Sequence, residues 1–397
     1  MRAGSDGFPL VFIQTREGVV GMRRAMTILV FCVAALLSLG LVMLYSASMA
    51  QQGSRYLVMQ LIWGVLGITA CVFTASLDYR DLKRYAFPVL GVTLLLLLLV
   101  LIPGIGTMKN GARRWFDLRI MSFQPSELAK LSLILALAAY GEQFRRQMTT
   151  FKRGLLVPGI VIAVTLGLIL KEPDFGTTAL LATVSLMLLL VAGVRWSYVV
   201  PPAVAGIIGI AILIMHDPVR MKRILAFLHP EEHRSGVGFQ SYQAMLALGS
   251  GGWFGLGLGN GRQKLGFVPE HHTDFIFAII GEELGIFATL GVLAAFVAFV
   301  ICGLYIARRA RDNFGLLLCS GITFLIGLQA FINVGVVTSA LPNKGLPLPF
   351  ISYGGSSLLM MLICVGLLLS VARQAEETTS VEVKLSDEDG HPAPLTS

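Results

Sequence analysis

Residues 86–104 read Ala86-Phe87-Pro88-Val89-Leu90-Gly91-Val92-Thr93-Leu94-Leu95-Leu96-Leu97-Leu98-Leu99-Val100-Leu101-Ile102-Pro103-Gly104, without one ionisable side chain. A run this apolar matches the roughly 20 residues that a helix needs to cross a bilayer. Comparable runs lie near 25–46, 56–76, 126–141, 154–170, 176–194, 198–215, 275–305, 315–338 and 353–372. The whole chain agrees: of 397 residues, 55% are hydrophobic and 14% charged. A soluble domain carries roughly 25% charge, so a bilayer must cover what water cannot. The alternation of barrel strands is missing. The expected fold class is an all-α polytopic membrane protein with ten transmembrane helices. The first run follows Arg23 and Arg24 without a small-residue cleavage site and reads as a retained first span.

Lysine and arginine set the orientation. With the amino terminus cytoplasmic, the inside connections hold 17 of them, while the short outside ones hold Arg55, Lys171 and Lys344. This bias predicts both termini inside. Two outside connections run against it. Residues 105–125 carry Lys109, Arg113, Arg114 and Arg119, and a large extracytoplasmic loop between spans seven and eight, 216–274, carries six more. Long loops cross regardless of charge; the alternative is an outer surface that attracts an anionic partner such as a lipid phosphate. The chain then divides into a cytoplasmic segment 1–24, a membrane domain 25–373 and a tail 374–397. The tail is rich in Glu, Asp, Thr, Ser and Pro and is expected to be disordered. No internal repeat is evident, which weakens a transporter built on inverted halves.

The net charge of +8 is not gathered into a long basic stretch, so it favours contact with membrane lipid over nucleic acid. Five cysteines lie inside apolar runs at no metal-ligand spacing and read as buried free thiols.

Charges at the edges of spans need a reason. Glu127 and Lys130 open the fourth run after Gln124-Pro125-Ser126 and, three residues apart, can pair on one helix face. Lys171-Glu172-Pro173-Asp174 interrupts two apolar runs, either as a solvated turn or as part of a site. Val268-Pro269-Glu270-His271-His272-Thr273-Asp274 runs straight into the eighth span. Thr273 or Asp274 can cap that helix, yet capping leaves Glu270 and the two histidines unexplained. A carboxylate where water meets lipid can act as a general base. Glu282 and Glu283 point away from Asp274 on a helical wheel and read as buried structural groups bonded to neighbouring helices. The glycine-rich run 249–260 allows close backbone approach or a re-entrant turn. Residues 219–228 resemble a basic amphipathic helix on the outer leaflet.

Several segments resemble one known family. They are Asn110-Gly111-Ala112-Arg113-Arg114-Trp115, Gln124 through Lys130, Glu172 through Thr178, Pro269 through Gly285, and Leu346 through Ser357. In order and over about residues 25–373, they look like the SEDS family (shape, elongation, division and sporulation). Gln263-Lys264-Leu265 and Lys344-Gly345 are most similar to its cell-division branch, while Asn343 and Gly266 depart from that pattern.

The resemblance implies a peptidoglycan glycosyltransferase that polymerises lipid II into glycan strands on the outer face of the bacterial cytoplasmic membrane, at the division septum. It would work beside a class B penicillin-binding protein and other membrane proteins of the division complex. The family's essential acidic residue falls on Asp274, and its cavity residues on Glu127, Lys130 and Asp174. Arg113, Lys130, Lys264 and Lys344 are candidates to hold the pyrophosphate leaving group, with Glu270 and His272 beside the substrate. No cofactor is identifiable, and dependence on a divalent cation stays open. The competing classes are a flippase for lipid-linked sugars and a non-catalytic division scaffold.

Overall fold

The computed structural model describes residues 16–48, 55–109, 111–117, 122–228, 236, 238–262, 273–342 and 345–388. Each apolar run of the sequence is a helix. In order these are α1 (Arg16–Ser48), α2 (Arg55–Ser76), α3 (Leu82–Leu101), α4 (Pro125–Gln143), α5 (Val157–Lys171), α6 (Phe175–Val191) and α7 (Trp196–Met215). Two amphipathic insertions, α8 (Pro218–Leu228) and α9 (Phe239–Ser250), precede α10 (Ile276–Arg308), α11 (Asn313–Val337) and α12 (Gly355–Glu388). Seven of the described helices are long and apolar enough to cross a membrane; α6 and α7 are apolar but shorter. The protein is thus a helical, multi-pass membrane protein.

Burial sorts the helices. In α4, sixteen of nineteen residues are buried, so it shows no apolar stripe and needs none. Together with α11 and α12 it forms the centre of the bundle. By contrast α2, α3, α5 and α7 expose Val65, Phe73, Val92, Leu95, Ile160 and Ile207 outward, where lipid replaces water.

Two features differ from the all-helical expectation. Within 105–125, β1 (Thr107–Lys109), β2 (Ala112–Asp117) and β3 (Ser122–Phe123) form an antiparallel meander. Pairing of Lys109 with Ala112 across Gly111, at φ +77°, closes its first turn. The last helix, α12, runs to Glu388, through the first part of the expected tail 374–397.

The glycine-rich run after α9 packs on a break in α10. Gly285 has φ +77° and ψ −173°, which interrupts the helix and orphans the carbonyls of Glu282 and Glu283. Leu256 N–H donates to Glu282 O at 2.9 Å, Gly257 N–H to Glu283 O at 3.0 Å, and Ile286 N–H returns to Gly252 O at 3.0 Å. A Cβ on Gly255 would lie 2.2 Å from Glu283 O, so only glycine permits this approach.

Candidate functional site

One end of the bundle gathers the start of α4, the α5–α6 turn, strand β2, the residues before α10 and the segment 345–354. Between them lies an open cavity of about 470 Å³. Its lining includes the acidic residues Glu127, Asp174 and Asp274 and the basic residues Arg114 and Arg223. The three acidic residues expected from the sequence therefore meet. Lys130 sits one helical turn behind Glu127, 1% exposed. Arg113 is not among the residues that line this cavity, whereas Ala112, Arg114 and Trp115 of the same strand are. Lys264, Glu270, His272 and Lys344 lie outside the described residues.

Glu127 falls in the first turn of α4, where the helix dipole favours an anion. Its Oε1 accepts from Lys130 Nζ at 2.8 Å, the three-residue pairing expected on one face. Lys130 Nζ also donates to Gln329 Oε1 at 3.0 Å, and Gln329 Nε2 donates to Pro347 O at 2.9 Å. A buried cation is thereby satisfied from two helices, while Glu127 Oε2 is buried without a hydrogen-bond partner.

At the α5–α6 turn, Asp174 caps α6: Oδ1 accepts from Thr177 N–H and Oδ2 from Thr177 Oγ1, each at 3.0 Å. The solvated-turn alternative fails here, since Glu172 is 0% exposed and Asp174 6%. Arg114 straps β2 across the turn. Its Nε donates to Glu172 O at 2.7 Å and its Nη2 to Pro173 O at 2.6 Å. Both carboxylate oxygens of Glu172 lack hydrogen-bond partners. Burial, with the charge of Asp174 adding and Arg114 opposing, pushes the Glu172 carboxyl up to about 8.

Asp274 is not a helix cap. The N-cap of α10 is Phe275, without a side-chain bond. Instead, Asn333 holds the Asp274 backbone, with Nδ2 donating to Asp274 O at 2.8 Å and to Leu346 O at 2.7 Å. Ser352 Oγ donates to Thr273 O at 2.5 Å and accepts from Leu348 N–H at 2.8 Å. Gly345 comes so close that a Cβ there would stand 2.5 Å from Asp274 Oδ2. Gln329 and Asn333 were missed in the sequence, whereas Ser352 falls in the segment Leu346 through Ser357 already singled out. Two amides four residues apart in an otherwise apolar run were the signal that pointed to the first two.

Glu282 and Glu283 are buried, as expected, and are bonded both to the neighbouring helix α1, through Ser46, and to backbone N–H groups after α9. Glu282 Oε1 accepts from Arg262 N–H at 2.8 Å. Glu283 Oε2 accepts from Gly259 N–H at 3.1 Å and from Ser46 Oγ at 2.6 Å. Among the described residues, no group of three or more His, Cys, Asp and Glu side chains is placed to hold a metal ion.

Comparison with known proteins places this geometry. A family model, FTSW_RODA_SPOVE, described as a cell cycle protein, matches residues 26–377. The chain is 42% identical over 351 residues to the probable peptidoglycan glycosyltransferase FtsW of Trichlorobacter lovleyi, covering 87% of this chain and 92% of the relative. It is 39% identical over 353 residues to stage V sporulation protein E of Bacillus subtilis, covering 87% and 96%. A solved structure described as "Structural coordination of polymerization and crosslinking by a peptidoglycan synthase complex" superposes with a TM-score of 0.75 at 32% identity, covering 87% of this chain and 97% of that one. The rod shape determining protein RodA of Thermus thermophilus gives a TM-score of 0.65 at 30% identity, covering 87% and 96%.

Proposed function

The chain belongs to the FtsW/RodA/SpoVE family, and on that premise we propose that it is a peptidoglycan glycosyltransferase with Asp274 as its general base. The observation that carries the reading is the joint lining of one cavity by Asp274, Glu127, Asp174, Arg114 and Arg223. In the proposed step, Asp274 removes the proton from the 4-hydroxyl of the acceptor sugar. The freed oxygen attacks the anomeric carbon of the lipid-linked donor, and the bond to undecaprenyl pyrophosphate breaks with inversion. Negative charge then grows on the leaving pyrophosphate, where fixed cations lower the barrier most. Arg114 and Arg223 are suited to that role by their place in the lining. Glu127 and Lys130 set the charge behind the cavity, and Asp174 holds the start of α6.

The membrane arrangement follows from the lysine and arginine bias: ten spans, both termini cytoplasmic and the cavity on the outer face. The substrate is lipid II, and the partner is a class B penicillin-binding protein. Similarity to FtsW relatives supports a site of work at the division septum, beside other proteins of the division complex.

The test is polymerisation of purified lipid II by the protein reconstituted with its cognate penicillin-binding partner. A positioned base contributes about 10²–10⁴-fold, so Asp274→Asn should lose at least that much while the protein purifies and melts normally. Near-normal turnover in the variant would remove Asp274 from the base role. Absence of strands together with movement of lipid II across vesicles would move the assignment to transport.

A further inference from the structure

The run between α9 and α10 is built inside out for a loop in water. Trp253 and Phe254 are 66% and 83% exposed, and Leu256 and Leu258 are exposed with them. No residue from 249 to 261 is ionisable. The backbone, which a watered loop leaves to solvent, is instead taken up by protein. Gly255 N–H donates to Gly251 O, Leu256 N–H to Glu282 O and Gly257 N–H to Glu283 O, at 2.8–3.0 Å. Gly259 N–H reaches Glu283 Oε2, Asn260 N–H reaches Gly257 O, and Arg262 N–H reaches Glu282 Oε1. Non-helical backbone survives at membrane depth only where its polar groups are satisfied internally. Six of this loop's N–H groups meet that condition, and its apolar side chains turn out.

We propose that the segment around Trp253–Leu258 is a wedge inserted into the bilayer leaflet on the cavity side, with lipid as its occupant. Continuity supports lipid. The Phe287 ring lies 5.8 Å from that of Trp253 and 5.4 Å from that of Phe254. From Phe287 an exposed apolar stripe continues down α10 through Leu290, Val297 and Ile301. Depth agrees as well. Beyond the break, Ile286 to Arg308 is 23 residues, about 35 Å at 1.5 Å per residue, against a hydrocarbon core of about 30 Å. That segment alone fills the core, which puts Gly285 and the loop packed on it near the boundary of headgroups and acyl chains. Aromatic rings are favoured there. The wedge gives Glu282 and Glu283 a task that glycosyl transfer does not: they are the internal acceptors that let this backbone leave water. The inference rests on the chain's membrane-spanning character and stands apart from the catalytic reading.

The experiment compares Trp fluorescence of the full-length protein with that of Trp253→Phe, reconstituted without a partner in phosphatidylcholine vesicles. Some vesicles carry acyl chains brominated near the headgroup. The difference spectrum isolates Trp253. Its emission should be blue-shifted, quenched at least about twofold by the brominated lipid and little affected by aqueous iodide. Red-shifted emission that iodide quenches and bromolipid does not would overturn the wedge. So would shielding that arises only when a membrane-protein partner is reconstituted alongside, since the patch would then be a protein contact. Circular dichroism of both samples confirms that the comparison is between folded proteins.

Discussion

Two sets of buried carboxylates lie close in sequence to the helix breaks of this molecule, yet they are spent differently. At the cavity, Glu127 is balanced by the Lys130 ammonium and keeps one oxygen without a hydrogen-bond partner. On α10, Glu282 and Glu283 accept from the backbone N–H groups of Arg262 and Gly259, and Glu283 also from the Ser46 hydroxyl. The first set faces space and needs a cation; the second faces backbone and shapes a turn. Burial alone therefore says little about an acidic residue in a membrane protein, whereas the identity of its donors says what it is for.

Three changes test that contrast, taken from the largest effect down. Lys130→Met leaves Glu127 buried without its cation, and breaking such a pair costs about 3–5 kcal/mol. Thermal unfolding in detergent should show that loss, and the double variant with Glu127→Gln should recover most of it. A single variant as stable as the parent would mean that the two oppositely charged groups are not coupled. Glu172 is the intermediate case, a buried carboxyl with neither cation pair nor backbone donor. Its folded pKa of about 8 lies above the ordinary 4.5, so the folded state binds the proton more tightly. Stability is full below the ordinary value and falls as pH rises through about 8. Glu172→Gln should match the parent near pH 4 and exceed it near pH 8 by a few kcal/mol at most, each pKa unit being worth about 1.4 kcal/mol. Parallel melting curves across that range would show that Glu172 ionises normally. Gly255→Ala places a Cβ against the Glu283 carbonyl at φ +80°. It should cost about 1–3 kcal/mol, the usual range for overpacking. Unchanged stability would mean that the loop is not clamped to α10.

Much of the fold was legible because its cause is local. Apolar runs of this length can satisfy their backbone only as helices, and each run is one. The Glu127–Lys130 pair was legible for the same reason, being set by helical spacing. What escaped depends on contacts distant in sequence. Gln329 and Asn333 look like incidental polar residues until α11 is packed against Pro347 and Asp274. Arg114 could not be singled out from Arg113 without its long-range bonds to the carbonyls of Glu172 and Pro173, and the meander itself is too short to announce its period. The alternative in which Thr273 or Asp274 caps α10 does not hold, because the chain makes a turn at 273–275 before the helix begins.

The placement of Gln329 and Asn333 one turn apart on α11 has a kinematic consequence. The first grips Lys130 on α4 and Pro347, and the second grips Leu346 and the backbone of Asp274. Opposite walls of the cavity are thus pinned to neighbouring points on one stiff rod. A slide or twist of α11 carries both walls in the same direction, so the opening behaves as a frame of fixed width that shifts as a whole.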